Sequence, residues 1–244
     1  MLLDPNATPF DLNFRLFGTP VRVSPWFWLV AAIFGWPLAD RGLSLLLLWV
    51  FCAFVSILLH EFGHVWAGKA FGTDASILLY SFGGLAIGAS DLRSRWQRIV
   101  VYLAGPGIQL ALWAALCYAV KSMTAAPPEW VILAIALLLQ INLYWAILNL
   151  LPVWPLDGGK VVRELCTWFS RDGIRISLGI SGAVAAFIAI HALIATPDRH
   201  IPFLPRSTFI GIFFALMAIE SFQLFNQARF FHVDEPDDRL PWER

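Results

Sequence analysis

Residues 43–70 read LSLLLLWVFCAFVSILLHEFGHVWAGKA. The first part of this stretch, Leu43–Leu59, contains no Asp, Glu, Lys, Arg or His, and it is about long enough to cross a bilayer as a helix. His60, Glu61 and His64 follow at once, before the apolar pattern ends. The stretch therefore predicts a membrane helix that carries a polar group near one end.

The composition of the whole chain favours the same class of protein. Of its 244 residues 59% are hydrophobic and 14% are charged, whereas a soluble domain has about 25% charged residues. This composition predicts the lipid bilayer as a partner. The formal net charge is zero and no Lys/Arg cluster stands out, so we expect no binding of nucleic acid. The odd number of widely spaced cysteines argues against a disulfide framework.

Outward from this stretch, the apolar segments predict an all-α polytopic membrane protein of about six transmembrane helices. Between the second and third segments, residues 76–87 are too short to cross and contain Gly83-Gly84, which predicts a short re-entrant β-hairpin. The six segments are Val23–Ala39, Leu43–Leu59, Ile99–Val120, Trp130–Leu151, Ile176–Ala195 and Ser207–Phe225.

The remaining segments are shorter. Pro152 and Pro155 end the fourth segment, and the apolar spacing of Gly158–Phe169 predicts a short amphipathic helix. We expect a single membrane-embedded domain over residues 1–244, with a polar tail at 228–244. The N-terminal residues lack the pattern of a removable signal peptide.

The distribution of basic residues predicts the orientation, because cytoplasmic flanks collect Lys and Arg. With six spans and both termini in the cytoplasm, thirteen basic residues fall on the inner side and four on the outer side. The outer four are Arg41, Lys121, Arg199 and Arg206; the inner ones are Arg15, Arg22, Lys69, Arg93, Arg95, Arg98, Lys160, Arg163, Arg171, Arg175, Arg229, Arg239 and Arg244.

The motif His60-Glu61-Phe62-Gly63-His64 carries recognisable chemistry. Residues four apart share one face of a helix, so the two imidazoles can bind one metal ion, and Glu61 can accept a proton from a metal-bound water. A chance occurrence on an ordinary helix is the alternative. It is disfavoured because polar side chains at membrane depth are costly and are retained mainly for function.

A catalytic zinc site needs a third protein ligand, and Asp157 is the best candidate. It follows two prolines and precedes two glycines in NLLPVWPLDGG, residues 149–159. The alternative is that Asp157 only caps the amphipathic helix. Glu220 could be a ligand or a proton carrier but has no companion motif, and we interpret His191, His200 and His232 as structural or solvated.

Two separated motifs make the chain resemble the site-2 protease family of intramembrane metalloproteases. The family has H-E-x-x-H in one transmembrane helix and N-x-x-P-x-x-P-L-D-G-G after a later one, and residues 60–64 and 149–159 match both. Phe82-Gly83-Gly84 and Ala104-Gly105-Pro106 also resemble the family, whereas Gln109 stands where Asn is expected.

The resemblance implies one zinc ion per chain, bound by His60, His64 and Asp157. It also implies Glu61 as the catalytic base and Asn149 as a polar group near the reacting carbonyl. The expected activity is hydrolysis of a single-span membrane protein near the cytoplasmic face, as in regulated intramembrane proteolysis.

The resemblance covers a core of about residues 43–170. It implies a compact form of the family, because the chain has no room for a PDZ or a CBS domain. A regulatory membrane partner and the oligomeric state stay open.

Two alternatives are weighed against proteolysis. A membrane protein that binds or transports a metal ion would use the same ligands, but it would not need a base such as Glu61 beside them. An inactive scaffold would be expected to lack part of the ligand set, and no part is missing here.

Overall fold

The computed structural model describes residues 7–81, 83–125, 127–194 and 207–228. These residues form two compact units that divide between Asn149 and Leu150. The elements of the first unit are β1 (Leu12–Leu16), β2 (Thr19–Val23), α1 (Pro25–Gly35), a 3-10 helix (Trp36–Arg41), α2 (Leu43–Ala70), β3 (Ser76–Tyr80), β4 (Gly83–Ile87), α3 (Arg95–Ser122) and α4 (Glu129–Asn149). Those of the second are α5 (Asp157–Phe169), α6 (Gly173–Ile194) and α7 (Thr208–Gln227).

Five helices in the described residues are long and apolar enough to cross a membrane, namely α2, α3, α4, α6 and α7. They correspond to the second to sixth predicted segments. The first predicted segment, Val23–Ala39, instead begins at the end of β2 and continues through α1 into the 3-10 helix. Pro37 lies at the start of the 3-10 helix, where its missing N–H breaks no helical hydrogen bond.

A small sheet of strand order β1-β2-β3-β4 accompanies the helices of the first unit. The predicted hairpin is present as the antiparallel pair β3–β4, with Leu78 opposite Leu85. The antiparallel pair β1–β2 was not predicted. Phe17 and Gly18 join these two strands with φ of 49° and 73°, which suits a two-residue hairpin turn.

The sheet packs on the C-terminal half of α2. Alternate residues of β2 and β3, among them Val21 and Ile77, bury their side chains with Phe62 and Val65 of α2. Lys69 also donates a hydrogen bond from Nζ to Thr19 Oγ1, at 2.7 Å. The sheet therefore holds the end of the helix that carries the histidine motif.

The second unit contains the short helix α5 and the hairpin of α6 and α7. The predicted amphipathic helix is confirmed as α5, which begins at Asp157. Ser181 of α6 and Ser221 of α7 form a buried hydrogen bond of 2.8 Å between their hydroxyls. The Ser181 hydroxyl also accepts from Trp154 N at 2.7 Å, so α6 anchors the loop that precedes Asp157.

Candidate metal centre

The two histidines of the motif lie on one buried face of α2. His60 and His64 are 3% and 6% exposed, and their Nε2 atoms are 3.1 Å apart. Two nitrogen ligands at about 2.05 Å from a tetrahedral zinc would be about 3.3 Å apart. The observed separation therefore suits two ligands of one ion.

The other ring nitrogens explain why the Nε2 atoms face each other. His60 Nδ1 lies 2.9 Å from Gln109 Oε1, and His64 Nδ1 lies 2.7 Å from the carbonyl oxygen of Val101. Both oxygens accept hydrogen bonds only, so both Nδ1 atoms must carry the proton. In neutral rings the two Nε2 lone pairs then converge, an arrangement that a shared cation stabilises.

Glycines on α2 and α3 provide the space for this arrangement. A Cβ on Gly63 would lie 2.5 Å from Ala104 O, so the two helices are in close contact at this residue. A Cβ on Gly105 would overlap His64 Nε2 and would lie 2.9 Å from His60 Nε2. The Ala104-Gly105-Pro106 segment noted in the sequence therefore packs against both imidazoles.

Glu61 lies beside the histidines and against strand β4. It is 4% exposed, and a Cβ added to Gly84 would overlap its side chain, with the Oε1 atom 2.5 Å away. The second glycine of the hairpin thus allows the strand to approach the carboxylate closely. Sequence reasoning noted Gly83-Gly84 as a turn signal but did not identify this contact.

Asp157 belongs to the second unit, where it is the first residue of α5 and is 3% exposed. Its Oδ1 atom lies 3.2 Å from Lys160 Nζ. The N-cap position of α5 is Leu156, and Asp157 is the acidic residue of the first turn, where a carboxylate also suits the positive end of the helix dipole. A buried carboxylate that is hydrogen-bonded by a neighbouring group suits a metal ligand.

The remaining candidate residues differ in their surroundings. Asn149 is partly buried and donates from Nδ2 to Trp145 O of its own helix at 3.0 Å. Glu220 is exposed on α7, and the His191 ring stacks on Phe187 with centroids 6.4 Å apart. His200 and His232 lie outside the described residues.

The fold and the histidine pair describe a class of protein: an integral multi-pass membrane protein with paired imidazoles on a membrane helix. The model of peptidase family M50 matches residues 48–126 and 124–193. These segments contain the histidine motif and the Asn149–Gly159 motif and cover more than half of the chain. The chain belongs to peptidase family M50.

Curated relatives agree with this family. "Putative zinc metalloprotease sll0528" of Synechocystis is 35% identical over 162 residues, which are 62% of this chain and 42% of that protein. Zinc metalloprotease MJ0392 of Methanocaldococcus jannaschii is 25% identical over 186 residues, 75% of this chain and 53% of the relative. Stage IV sporulation protein FB of Bacillus subtilis is 25% identical over 224 residues, 87% of this chain and 68% of the relative.

A solved structure has a similar fold. The site-2 protease from Methanocaldococcus jannaschii superimposes with a TM-score of 0.58 at 20% identity, covering 88% of this chain and 94% of that one. The match covers only about two fifths of the length of the first curated relatives, 42% and 40%. The similar fold and the five apolar helices confirm the helical, membrane-embedded character expected from the sequence.

Proposed function

We propose that this chain is an intramembrane zinc metalloprotease that hydrolyses peptide bonds of membrane-spanning substrates. The observation that carries the proposal is the pair of imidazoles whose Nε2 atoms face each other at 3.1 Å beside the Glu61 carboxylate. Membership of peptidase family M50 and relatives named as zinc metalloproteases support the same activity.

The proposed ligands of the one zinc ion are His60, His64 and Asp157. The two histidines already have the tautomer in which Nε2 binds a metal, and Asp157 is the buried carboxylate of the second motif. Three protein ligands leave a fourth position open, as a catalytic zinc site requires. When bound, zinc supplies a water whose pKa is lowered toward about 7 and a Lewis acid for the peptide carbonyl.

Glu61 acts as the general base in this proposal. It accepts a proton from the attacking water and then passes it to the leaving amine, which keeps the charge balanced through the reaction. The side-chain amide of Asn149 donates one hydrogen bond to Trp145 O. In this proposal its second N–H donates to the carbonyl oxygen of the substrate. A metal transporter would need the ligands but no base, so Glu61 favours hydrolysis over transport.

The proposed substrate is a single-span membrane protein that unwinds locally and adds to β4 as an extended strand. In the described residues β4 pairs only with β3, so its other edge can accept a strand. Tyr80 is opposite Gly83 at the end of the antiparallel ladder, and hydrogen-bonded pairs alternate from there, so Gly84 and Ala86 direct their N–H groups to the outer edge. Gly84 also contacts Glu61, which brings this edge to the catalytic base.

A proline at the outer edge tests the strand addition. Ala86→Pro removes an N–H that faces away from β3, whereas Leu85→Pro removes one within the β3–β4 pair. Ala86→Pro should lower cleavage at least tenfold with zinc content unchanged, and Leu85→Pro should also lower thermal stability. Wild-type cleavage by a folded Ala86→Pro variant would exclude substrate binding at this edge.

Six membrane crossings are proposed, with the segment of α1 and the 3-10 helix as the first. Strands β2 and β3 are parallel neighbours, so the chain that leaves β2 must return to the same side at β3. Helix α2 makes one crossing between them, and the segment before it must make the other. Its 11 α-helical and 6 3-10 residues span about 16 Å and 12 Å, close to the 30 Å of a bilayer core.

An even number of crossings places both termini on one side, and the excess of basic residues makes that side the cytoplasm. His60 precedes the end of α2 by ten residues, about 15 Å, so the site lies toward the cytoplasmic side. Reporter fusions at the two termini should both be cytoplasmic. Opposite locations would indicate five crossings, with α1 and the 3-10 helix on one side of the membrane.

The test of the activity compares the wild type with Glu61→Gln, both purified in detergent. Each should contain one zinc per chain, and only the wild type should cleave a panel of single-span membrane peptides. Zinc in both proteins with no cleavage by either, together with zinc uptake into vesicles containing the wild type, would replace the protease by a transporter.

A further inference from the structure

A buried polar cluster lies beside His60, on the Nδ1 side of its ring. It consists of Ser56 on α2, Gln109 on α3 and Asn142 on α4, and each of these residues is fully buried. Three polar side chains at membrane depth carry a stability cost, so their retention calls for an explanation. Ser56 and Asn142 lie outside the motifs that carry the family resemblance, and Gln109 stands where that resemblance leads one to expect Asn.

Gln109 is the residue of this cluster that touches the site. Its Oε1 accepts a hydrogen bond from His60 Nδ1 at 2.9 Å, and its Nε2 donates to the Ser56 carbonyl oxygen at 3.2 Å. The carbonyl can only accept, so it fixes which end of the amide faces His60. A reversed amide would direct an N–H at Nδ1 and would favour the tautomer with its proton on Nε2.

Asn142 holds the same part of α2 from the other neighbouring helix. It donates from Nδ2 to the Ser56 hydroxyl at 3.0 Å and to Leu138 O at 2.8 Å. Among the described residues its Oδ1 atom has no hydrogen-bond partner, which is unfavourable for a buried amide. Both α3 and α4 thus direct a side-chain amide at Ser56, one turn before His60.

We propose that Gln109 is a positioning residue for the metal site, which keeps His60 in the Nδ1–H tautomer and directs its Nε2 toward the ion. Ser56 orients the Gln109 amide, and Asn142 holds Ser56. The inference rests on the proposed zinc site. It also explains the departure from the expected Asn, because the longer side chain of Gln reaches from α3 to both His60 and the Ser56 carbonyl.

The test measures zinc affinity of the purified protein by competition with a chelator. Gln109→Met keeps the size of the side chain but loses the acceptor, whereas Gln109→Glu keeps an acceptor for His60. Zinc affinity should fall about tenfold to a hundredfold in Gln109→Met and should stay near the wild-type value in Gln109→Glu. Gln140→Met, the same change at an exposed position of α4, serves as the matched control and should have no effect.

A second readout separates positioning from general stability. The visible absorption bands of the Co²⁺-substituted protein should shift in Gln109→Met and be retained in Gln109→Glu, because they report the geometry of the ligands. Gln109→Asn keeps the amide but is one methylene shorter, and it should also lose affinity; it replaces Gln109→Met if that variant does not fold.

Equal zinc affinity in the wild type, Gln109→Met and Gln109→Asn would overturn the positioning role and leave the proposed protease intact. An equal loss in Gln109→Met and Gln109→Glu would also overturn it, since the acceptor would then have no special role. A wild type that binds no zinc would remove the proposed function and this inference together.

Discussion

The histidines and the aspartate of the proposed site are held in different ways. His60 and His64 project from a regular helix of 28 residues, and their rings are oriented by side-chain and carbonyl acceptors on α3. Asp157 follows an irregular loop whose backbone is packed against itself and is tied to α6 through Ser181. The helix positions the two histidines by local periodicity, whereas the loop positions Asp157 by tertiary contacts.

This difference also decides what can adjust when a residue changes. At Gly105 an added Cβ would meet imidazole rings, which can rotate, while at Gly158 and Gly159 it would meet backbone atoms, which cannot. Gly158 and Gly159 pack on the backbone of Leu150 and Val153 respectively. The aspartate loop should therefore be the more sensitive region to added volume.

The largest effect is expected for Gly158→Ala. Its Cβ would overlap the carbonyl of Leu150, so the backbone must move and shift Asp157. We expect a loss of about 1–3 kcal/mol in unfolding free energy, measured by thermal unfolding in detergent, and loss of most zinc binding. The control is Gly179→Ala on α6, where the Cβ would make ordinary contact with Phe225 at 3.8 Å. A Gly158→Ala variant that binds zinc normally would show that the aspartate loop is not more sensitive to added volume than the histidine helix.

An intermediate effect is expected for Gly105→Ala. The added Cβ would press on both Nε2 atoms, and rotation of the rings should cost about tenfold to a hundredfold in zinc affinity with little change in the fold. Gly107→Ala, two residues further along α3, is the matched control, because its Cβ would meet none of the described atoms within 4 Å. Chelator competition measures both variants. Equal zinc affinity in the two would mean that the histidine rings have more space than the structure shows.

The smallest effect is expected for Ser181→Ala. It removes the acceptor for Trp154 N and the partner of Ser221, at a cost of about 1 kcal/mol in unfolding free energy. The loop should loosen, and cleavage should fall by less than in the glycine variants. Ser177→Ala is the control, because among the described residues the Ser177 hydroxyl donates a hydrogen bond only to Ile174 O of its own helix. If both serine variants had the same cleavage rate and stability, the hydrogen bond from Trp154 N to Ser181 would not contribute to holding the aspartate loop.

The contrast between the two regions also explains what the sequence could predict. The spacing of His60 and His64 implies a shared helix face, and the structure confirms that face together with most of the membrane helices. The β3–β4 hairpin and α5 were predicted from Gly83-Gly84 and from apolar spacing, both of which are local signals.

Features that depend on contacts between distant residues were missed. The β1–β2 pair has a turn of Phe17 and Gly18 in left-handed conformations, and Phe17 is not a residue that signals such a turn. The bond from His60 to Gln109 joins residues 49 apart, and no single-sequence pattern predicts it. The anchor from Ser181 to Trp154 spans 27 residues and was missed for the same reason.

The central claim is that the helix and the loop supply ligands to one zinc ion, and X-ray absorption at the zinc edge of the purified protein tests it most directly. The account predicts two imidazole nitrogens and two oxygens at about 2.0–2.1 Å, with loss of one oxygen ligand in Asp157→Ala. A spectrum with sulfur ligands at about 2.3 Å, or one that Asp157→Ala leaves unchanged, would contradict the claim.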